Sequence, residues 1–169
     1  AASDVYKRQL LDEEPEGEQR RRGAPAVANL ALAFQAAGLE AIARGAVCRS
    51  VQWAVLRRIN QMAFVTAWGQ HLDVETPQDE AAYWHLVRTK STPFFEAALY
   101  AGAMLGGATL QTANQIARFG RLYGELIQIQ DDMSDTMATP ADPDWILGRA
   151  PLPILYAEVV DHPRRARFI

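Results

Sequence analysis

Between Ala24 and His71 the chain is built largely from Ala, Leu and Arg, with few β-branched residues. That pattern commits it to α-helix. Ala24–Ala43 is predicted as one helix, with Gly45 as its stop. Arg49–Gln70 is predicted as a second, whose apolar face carries Val51, Val55, Ile59, Met62, Phe64 and Val65. Thr76-Pro77-Gln78-Asp79-Glu80 combines an N-cap candidate, a proline at the first helical position and acids in the first turn, so a helix should run from there to about Arg88. Ser91 or Thr92, followed by Pro93, opens the next, which reaches about Gly106. Thr109–Met133 reads as a long helix ending in acids. Thr139–Asp144, with Pro140 and Pro143, reads as a loop, and Leu152–Val160 as a final short helix. No segment shows period-two alternation or a hairpin signal. The expected fold class is all-α.

At 169 residues the chain suffices for one compact domain and is too short for two. A net charge of -3 argues against a nucleic-acid binder held by phosphate neutralisation. The single cysteine, Cys48, has no intramolecular disulfide partner, and no Cys/His set has zinc spacing. The N-terminus lacks a signal-peptide core. Ala97–Leu110, taken as the longest apolar stretch, is broken by glycines and falls short of the ~20 residues of a membrane span. The expectation is a soluble cytoplasmic protein with no transmembrane span. Asp4–Gln9 back-translates without strain to a transposon end used to fragment DNA for sequencing. Residues 1–9 are therefore expected to be non-native, and 10–169 to be part of one domain that continues beyond both ends.

The chemistry concentrates in acids. Asp131, Asp132 and Asp135 form D-D-x-x-D, and positions i, i+1 and i+4 project from one side of a helix. Three carboxylates there repel one another and oppose the helix dipole, unless a cation lies between them. Mg²⁺ takes oxygen ligands of this kind, completed by waters and phosphate oxygens. The alternative for a bare acidic triplet is a solvated helix end. Here apolar Leu126, Ile127 and Ile129 precede it, which predicts that the cluster caps a core helix. Gln128 stands one turn earlier on the same side. Asp12, Glu13 and Glu16 repeat the spacing and are followed by Arg20-Arg21-Arg22-Gly23-Ala24-Pro25. Carboxylates beside paired guanidinium groups combine metal ligands with a phosphate grip.

Lysine usage adds a further signal. Lys7 and Lys90 stand against fifteen arginines among the 17 basic residues. With Lys7 in the suspected non-native segment, Lys90 is the one position that keeps a compact ammonium. Lys90-Ser91-Thr92 also falls at a predicted helix start, where backbone N–H groups attract phosphate. Gly102, Gly106, Gly107, Gly120 and Gly124 lower helix propensity and are expected to serve close approach, to another helix or to a ligand.

Taken in order, these motifs resemble the trans-polyprenyl diphosphate synthases, which extend allylic diphosphates with isopentenyl diphosphate. The resemblance runs from Leu11 to about Ala157. It rests on the two acidic clusters, the R-R-G-x-P segment, Gly69-Gln70 with Asp73, Lys90-Ser91, Phe119-Gly120 through Gly124, Gln128 and the D-D-x-x-D, and Gly148 to Pro153 with Asp144. It implies an isoprenoid-synthase helical bundle, incomplete at both ends, and a homodimer. It also implies Mg²⁺ held by Asp12 and Glu16 on one side, and by Asp131, Asp135 and Asp144 on the other. Lys90 and Ser91 would bind the allylic diphosphate, Arg21 and Arg22 the isopentenyl diphosphate, and Arg149 would also contact substrate. Gln128 would orient the substrate, and Lys90, Gln128 and Asp131 would carry the catalysis. The implied reaction is metal-triggered ionisation of the allylic diphosphate, followed by attack of the isopentenyl alkene.

The sequence departs from the family pattern in several places. The first motif is D-E-x-x-E and contains Pro15, Pro140 stands where many members have lysine, and Arg149 and Pro151 replace a later Lys and Thr. Two other readings stay open: a class I terpene cyclase, for which the R-R-G-x-P grip would be idle, and a non-catalytic partner subunit of an active synthase.

Overall fold

In the computed structural model, residues 17–72, 77, 79–139 and 151–167 are described. Seven α-helices lie among them: α1 (Glu18–Arg22), α2 (Ala24–Ala43), α3 (Arg49–Leu72), α4 (Glu80–Lys90), α5 (Thr92–Leu105), α6 (Leu110–Met137) and α7 (Leu152–Val159). A 3₁₀ turn follows at Arg165–Arg167. The described residues include no β-strand, and the fold is all-α. The chain divides into two compact units, Ala1–Leu56 and Arg57–Ile169, with α3 beginning in the first and continuing in the second.

In the first unit the R-R-G segment forms a helix end and a turn. Glu18 pairs with Arg21 at 2.9 Å and with Arg22 at 2.6 Å. The Arg22 hydrogen bond, helped by both guanidinium charges, holds the Glu18 carboxyl below its ordinary range. Gly23 then adopts φ 82°, ψ 148°, a conformation essentially reserved for glycine, and turns the chain into α2 with Pro25 in the first turn. α2 ends at Ala43 as expected. Gln52 of α3 reaches back to the Ala43 and Gly45 carbonyls, at 3.2 and 2.6 Å, and satisfies orphan acceptors at that end.

One helix of this unit passes a length-and-composition test that the core helix of a soluble protein passes as well. Ala24–Ala43, at 20 residues, is long and apolar enough to cross a membrane by length and composition alone. Scanning for unbroken apolar runs misses it, because Asn29, Gln35 and Glu40 interrupt the run without removing its overall apolar character.

In the second unit, α5 and α6 form an antiparallel pair joined by a tight turn. Gly107 takes φ 85°, Ala108 N–H donates to the Ala103 carbonyl at 2.9 Å, and Gly107 N–H donates to that of Met104 at 3.2 Å. This is a Schellman closure, so Gly106 and Gly107 serve the turn. The α6 face against α5 is a run of small residues, Ala113, Ala117, Gly120 and Gly124, all buried. A Cβ on Gly120 would stand 2.6 Å from the Phe95 carbonyl oxygen, and one on Gly124 3.0 Å from Thr92 Cα. Those two glycines therefore set helix-to-helix approach. Gly102 has nothing within 4 Å of an added Cβ and takes no part in it.

Arg58 of α3 ties the pair together. It donates to Glu96 at 3.1 Å and to Asn114 at 3.3 Å, and lies 4.6 Å over the Tyr100 ring. A second core joins Tyr83 and Val87 of α4 to Leu155 of α7, with Trp84 and Leu152 packed beside them.

The structure moves several predicted details. The N-cap of α4 is Asp79, whose side chain accepts from Ala82 N–H at 2.7 Å, and the helix starts at Glu80 instead of beside Thr76. An acidic side chain that can reach N3 displaces a proline-based start. α6 runs to Met137, one turn beyond the expected Met133, so its acids lie within the helix. Phe64 and Leu126, expected on buried faces, are exposed.

Candidate functional site

The small-residue row on α6 ends where α5 begins, because Gly124 meets Thr92, the first residue of α5. At about 100° per residue, the same side of α6 continues past that point through Gln128, Asp131 and Asp135. Beyond Gly124 that side passes the α4–α5 junction, Lys90 and Ser91. Lys90 closes α4, and Ser91 is the single residue between the two helices.

A hydrogen-bond relay crosses this junction. Ser91 Oγ donates to Gln128 Oε1 at 2.7 Å. Gln128 Nε2 donates to Asp132 Oδ1 at 2.8 Å. The Tyr83 hydroxyl donates to Asp132 Oδ2 at 2.7 Å, and the Leu152 backbone N–H donates to the same oxygen at 2.8 Å. Asp132 is only 6% exposed. Three donors from three helices satisfy its oxygens and offset the cost of burying them. Burial chiefly, with the Asp132 hydrogen bond and charge adding to it, pushes the Tyr83 phenol well above its ordinary value.

The three acids of D-D-x-x-D thus divide. Asp132 faces inward and is fully engaged, while Asp131 and Asp135, one turn apart, are exposed. Among the described residues no group of three or more His, Cys, Asp or Glu converges as a metal cluster. Two exposed carboxylates one turn apart nevertheless suit Mg²⁺, which ordinarily takes one or two and completes its octahedron with water and phosphate oxygens. The donor set fits the ion.

Lys90 is placed by a close backbone approach. A Cβ on Gly69 of α3 would stand 2.6 Å from Lys90 N and 2.8 Å from Lys90 Cα, so α3 reaches the end of α4 only because residue 69 is glycine. Arg88 of α4 adds an ion pair to Glu125 of α6 at 2.8 Å.

Of the sequence-predicted site residues, the second unit joins Ser91, the neighbour of Lys90, to Gln128 by a hydrogen bond, and carries Asp131 and Asp135 one and two turns farther along the same helix. Gln128 uses both ends of its amide within the relay. Arg21 and Arg22 belong to the first unit, where each pairs with Glu18. Asp12, Glu16, Asp144 and Arg149 lie outside the described residues, as do residues 1–9.

Sequence reasoning missed Tyr83, the inward role of Asp132 and the contact made by Gly69. Signals for two of them were present: Gln128 and Asp132 are four apart, and Tyr83 shares a helix side with Val87. The Leu152 N–H had none, since a backbone donor looks the same at every position.

Known proteins resemble this chain in sequence and in fold. A geranylgeranyl diphosphate synthase of Methanosarcina mazei is 36% identical over 85 residues, which is 48% of this chain and 25% of that protein. The crystal structure of geranylgeranyl pyrophosphate synthetase from Pyrococcus horikoshii Ot3 superposes with a TM-score of 0.80 at 22% identity, over 99% of this chain and 56% of that one. The latter likeness shows the fold. The chain thus spans a quarter of the one relative's length and just over half of the other's. The family model described as polyprenyl synthetase matches residues 17–160, nearly the whole chain. This chain belongs to the polyprenyl synthetase family.

Proposed function

We propose that the protein containing this chain is a prenyltransferase that condenses isopentenyl diphosphate with an allylic diphosphate to give a longer polyprenyl diphosphate. The observation that carries this reading is the Ser91–Gln128 hydrogen bond at 2.7 Å. It fastens the helix junction bearing Lys90 to the helix bearing Asp131 and Asp135, which supports reading the ammonium and the pair of carboxylates as parts of one site. That combination suits a diphosphate: the ammonium meets its oxygens directly, and the carboxylates meet them through a divalent cation. The relatives' names point to the same substrate class.

On this reading Asp131 and Asp135 hold Mg²⁺ on the α6 side, with Asp144 as a further ligand, and Asp12 and Glu16 form the second metal position. Bound Mg²⁺ supplies neutralisation of the charge that develops on the departing diphosphate. Lys90 and Ser91 hold the allylic diphosphate, and Lys90 stabilises the leaving oxygens with a fixed positive charge. Gln128, immobilised by Ser91 and Asp132, orients the substrate. Arg21, Arg22 and Arg149 contribute guanidinium groups for diphosphate, the first two for isopentenyl diphosphate. The intact protein acts as a homodimer.

The test uses the full reading frame incubated with isopentenyl diphosphate and geranyl or farnesyl diphosphate, with and without Mg²⁺, and sizes the products. A Mg²⁺-dependent product series is expected. Product from the allylic diphosphate alone would make the protein a cyclase. Co-purification with an active synthase, without any condensation of its own, would make it a partner subunit.

A further inference from the structure

The buried carboxylate of Asp132 is one group in the D-D-x-x-D turn that the proposed chemistry leaves unused. Its oxygens nonetheless accept three hydrogen bonds. Three donors converge on it from α4, α6 and the first residue of α7. One of them, Gln128, passes the constraint on to Ser91, the neighbour of Lys90. Tyr83 is seven residues before Lys90 on α4, two turns along the same side.

From this we infer that Tyr83 is a positioning residue: through Asp132 it fixes the last turns of α6 against the α4–α5 junction, and so sets where Asp131 stands relative to Lys90. The inference rests on the reading of Lys90 and Asp131 as the two sides of a diphosphate grip.

The helix pairing itself has other supports. The Tyr83 ring packs with Val87 and Leu155 and lies edge-to-face on Trp84 at 5.1 Å. Arg88 holds Glu125 at 2.8 Å. Removing only the hydroxyl leaves those contacts in place, while Asp132 Oδ2 keeps the Leu152 N–H alone. The carboxylate then keeps two of its three donors and loses the one from α4, which loosens the hold of that helix on the turn that carries Gln128 and Asp131. Outer hydrogen-bond partners of the metal ligands themselves commonly change metal affinity by about 10–100-fold when removed, and a partner one residue removed from a ligand, as Tyr83 is through Asp132, is expected at the lower end.

The experiment measures binding of inorganic diphosphate in the presence of Mg²⁺ by calorimetry, on the full reading frame, well below the melting temperature of every variant. Tyr83→Phe is expected to weaken that binding by about tenfold. Asp131→Asn is expected to lose it. Val87→Ala, which loosens the same helix without touching the relay, should bind within about twofold of the parent.

Unchanged binding by Tyr83→Phe, or an equal loss in Val87→Ala, overturns the positioning role while leaving the diphosphate grip intact. Absence of Mg²⁺-dependent diphosphate binding in the unsubstituted protein overturns the grip itself, and the positioning role with it.

Discussion

Gly120→Ala is the most direct test of how α5 and α6 meet. An added Cβ would lie 2.6 Å from the Phe95 carbonyl oxygen, 2.9 Å from its carbon and 3.1 Å from Glu96 Cα. Ordinary van der Waals contact begins at 3.4 Å, so the helices must part by about 0.8 Å against backbone that no rotamer change can relieve. Overpacking of this kind costs about 1–3 kcal/mol, and contact with backbone puts Gly120 near the upper end. Replacing a helical glycine by alanine returns about 1 kcal/mol. The net expectation is a loss of about 2 kcal/mol, or roughly 4–8 °C in melting temperature for a chain of this size.

Gly102→Ala is the matched control. Nothing lies within 4 Å of its added Cβ, so only the helix gain of about 0.5–1 kcal/mol remains and the melting temperature should rise. Thermal unfolding followed by circular dichroism gives both values. A rise for Gly120→Ala comparable to that of Gly102→Ala would refute the close approach and the site geometry built on it.

Other predictions follow from the same contacts. Gly69→Ala drives a methyl into the Lys90 backbone, and should both lower the melting temperature and weaken Mg²⁺-dependent diphosphate binding several-fold, read by calorimetry. Arg58→Ala removes the link to Glu96, Asn114 and Tyr100 and should cost about 1–3 kcal/mol by chemical denaturation. Because the folded state holds the Tyr83 phenol protonated above its ordinary value of 10, it binds more protons than the unfolded chain above that pH, and stability should fall as pH rises further. Tyr83→Phe should flatten that alkaline fall in urea titrations. In the full reading frame, Asp131→Ala should abolish Mg²⁺-dependent condensation with helicity unchanged. Lys90→Arg should lower condensation although the charge is kept.

Helix content was legible in the sequence because it depends on local quantities. Ala24–Ala43 and the start of α6 at Thr109 follow from propensity, capping and glycine placement, which act within a few residues. The candidate site was legible as a set of residue types. D-D-x-x-D, the lone lysine beside a serine and Gln128 one turn before the acids each name a chemistry without needing partners. Those features determined the all-α class, the family resemblance and the proposal of a diphosphate site.

Only the tertiary structure decided which acid does what. Asp131 and Asp132 are neighbours with identical side chains, and nothing local separates them. They differ because α4 and α7 pack on one side of α6 and bring the Tyr83 hydroxyl and the Leu152 N–H to Asp132, leaving Asp131 and Asp135 exposed. In the same way, Gly69 and Gly120 are helix-weakening residues in the sequence and become contact surfaces once a neighbouring backbone lies against each. A burial or a hydrogen bond between residues tens of positions apart is a property of the packed chain, and no window of sequence contains it.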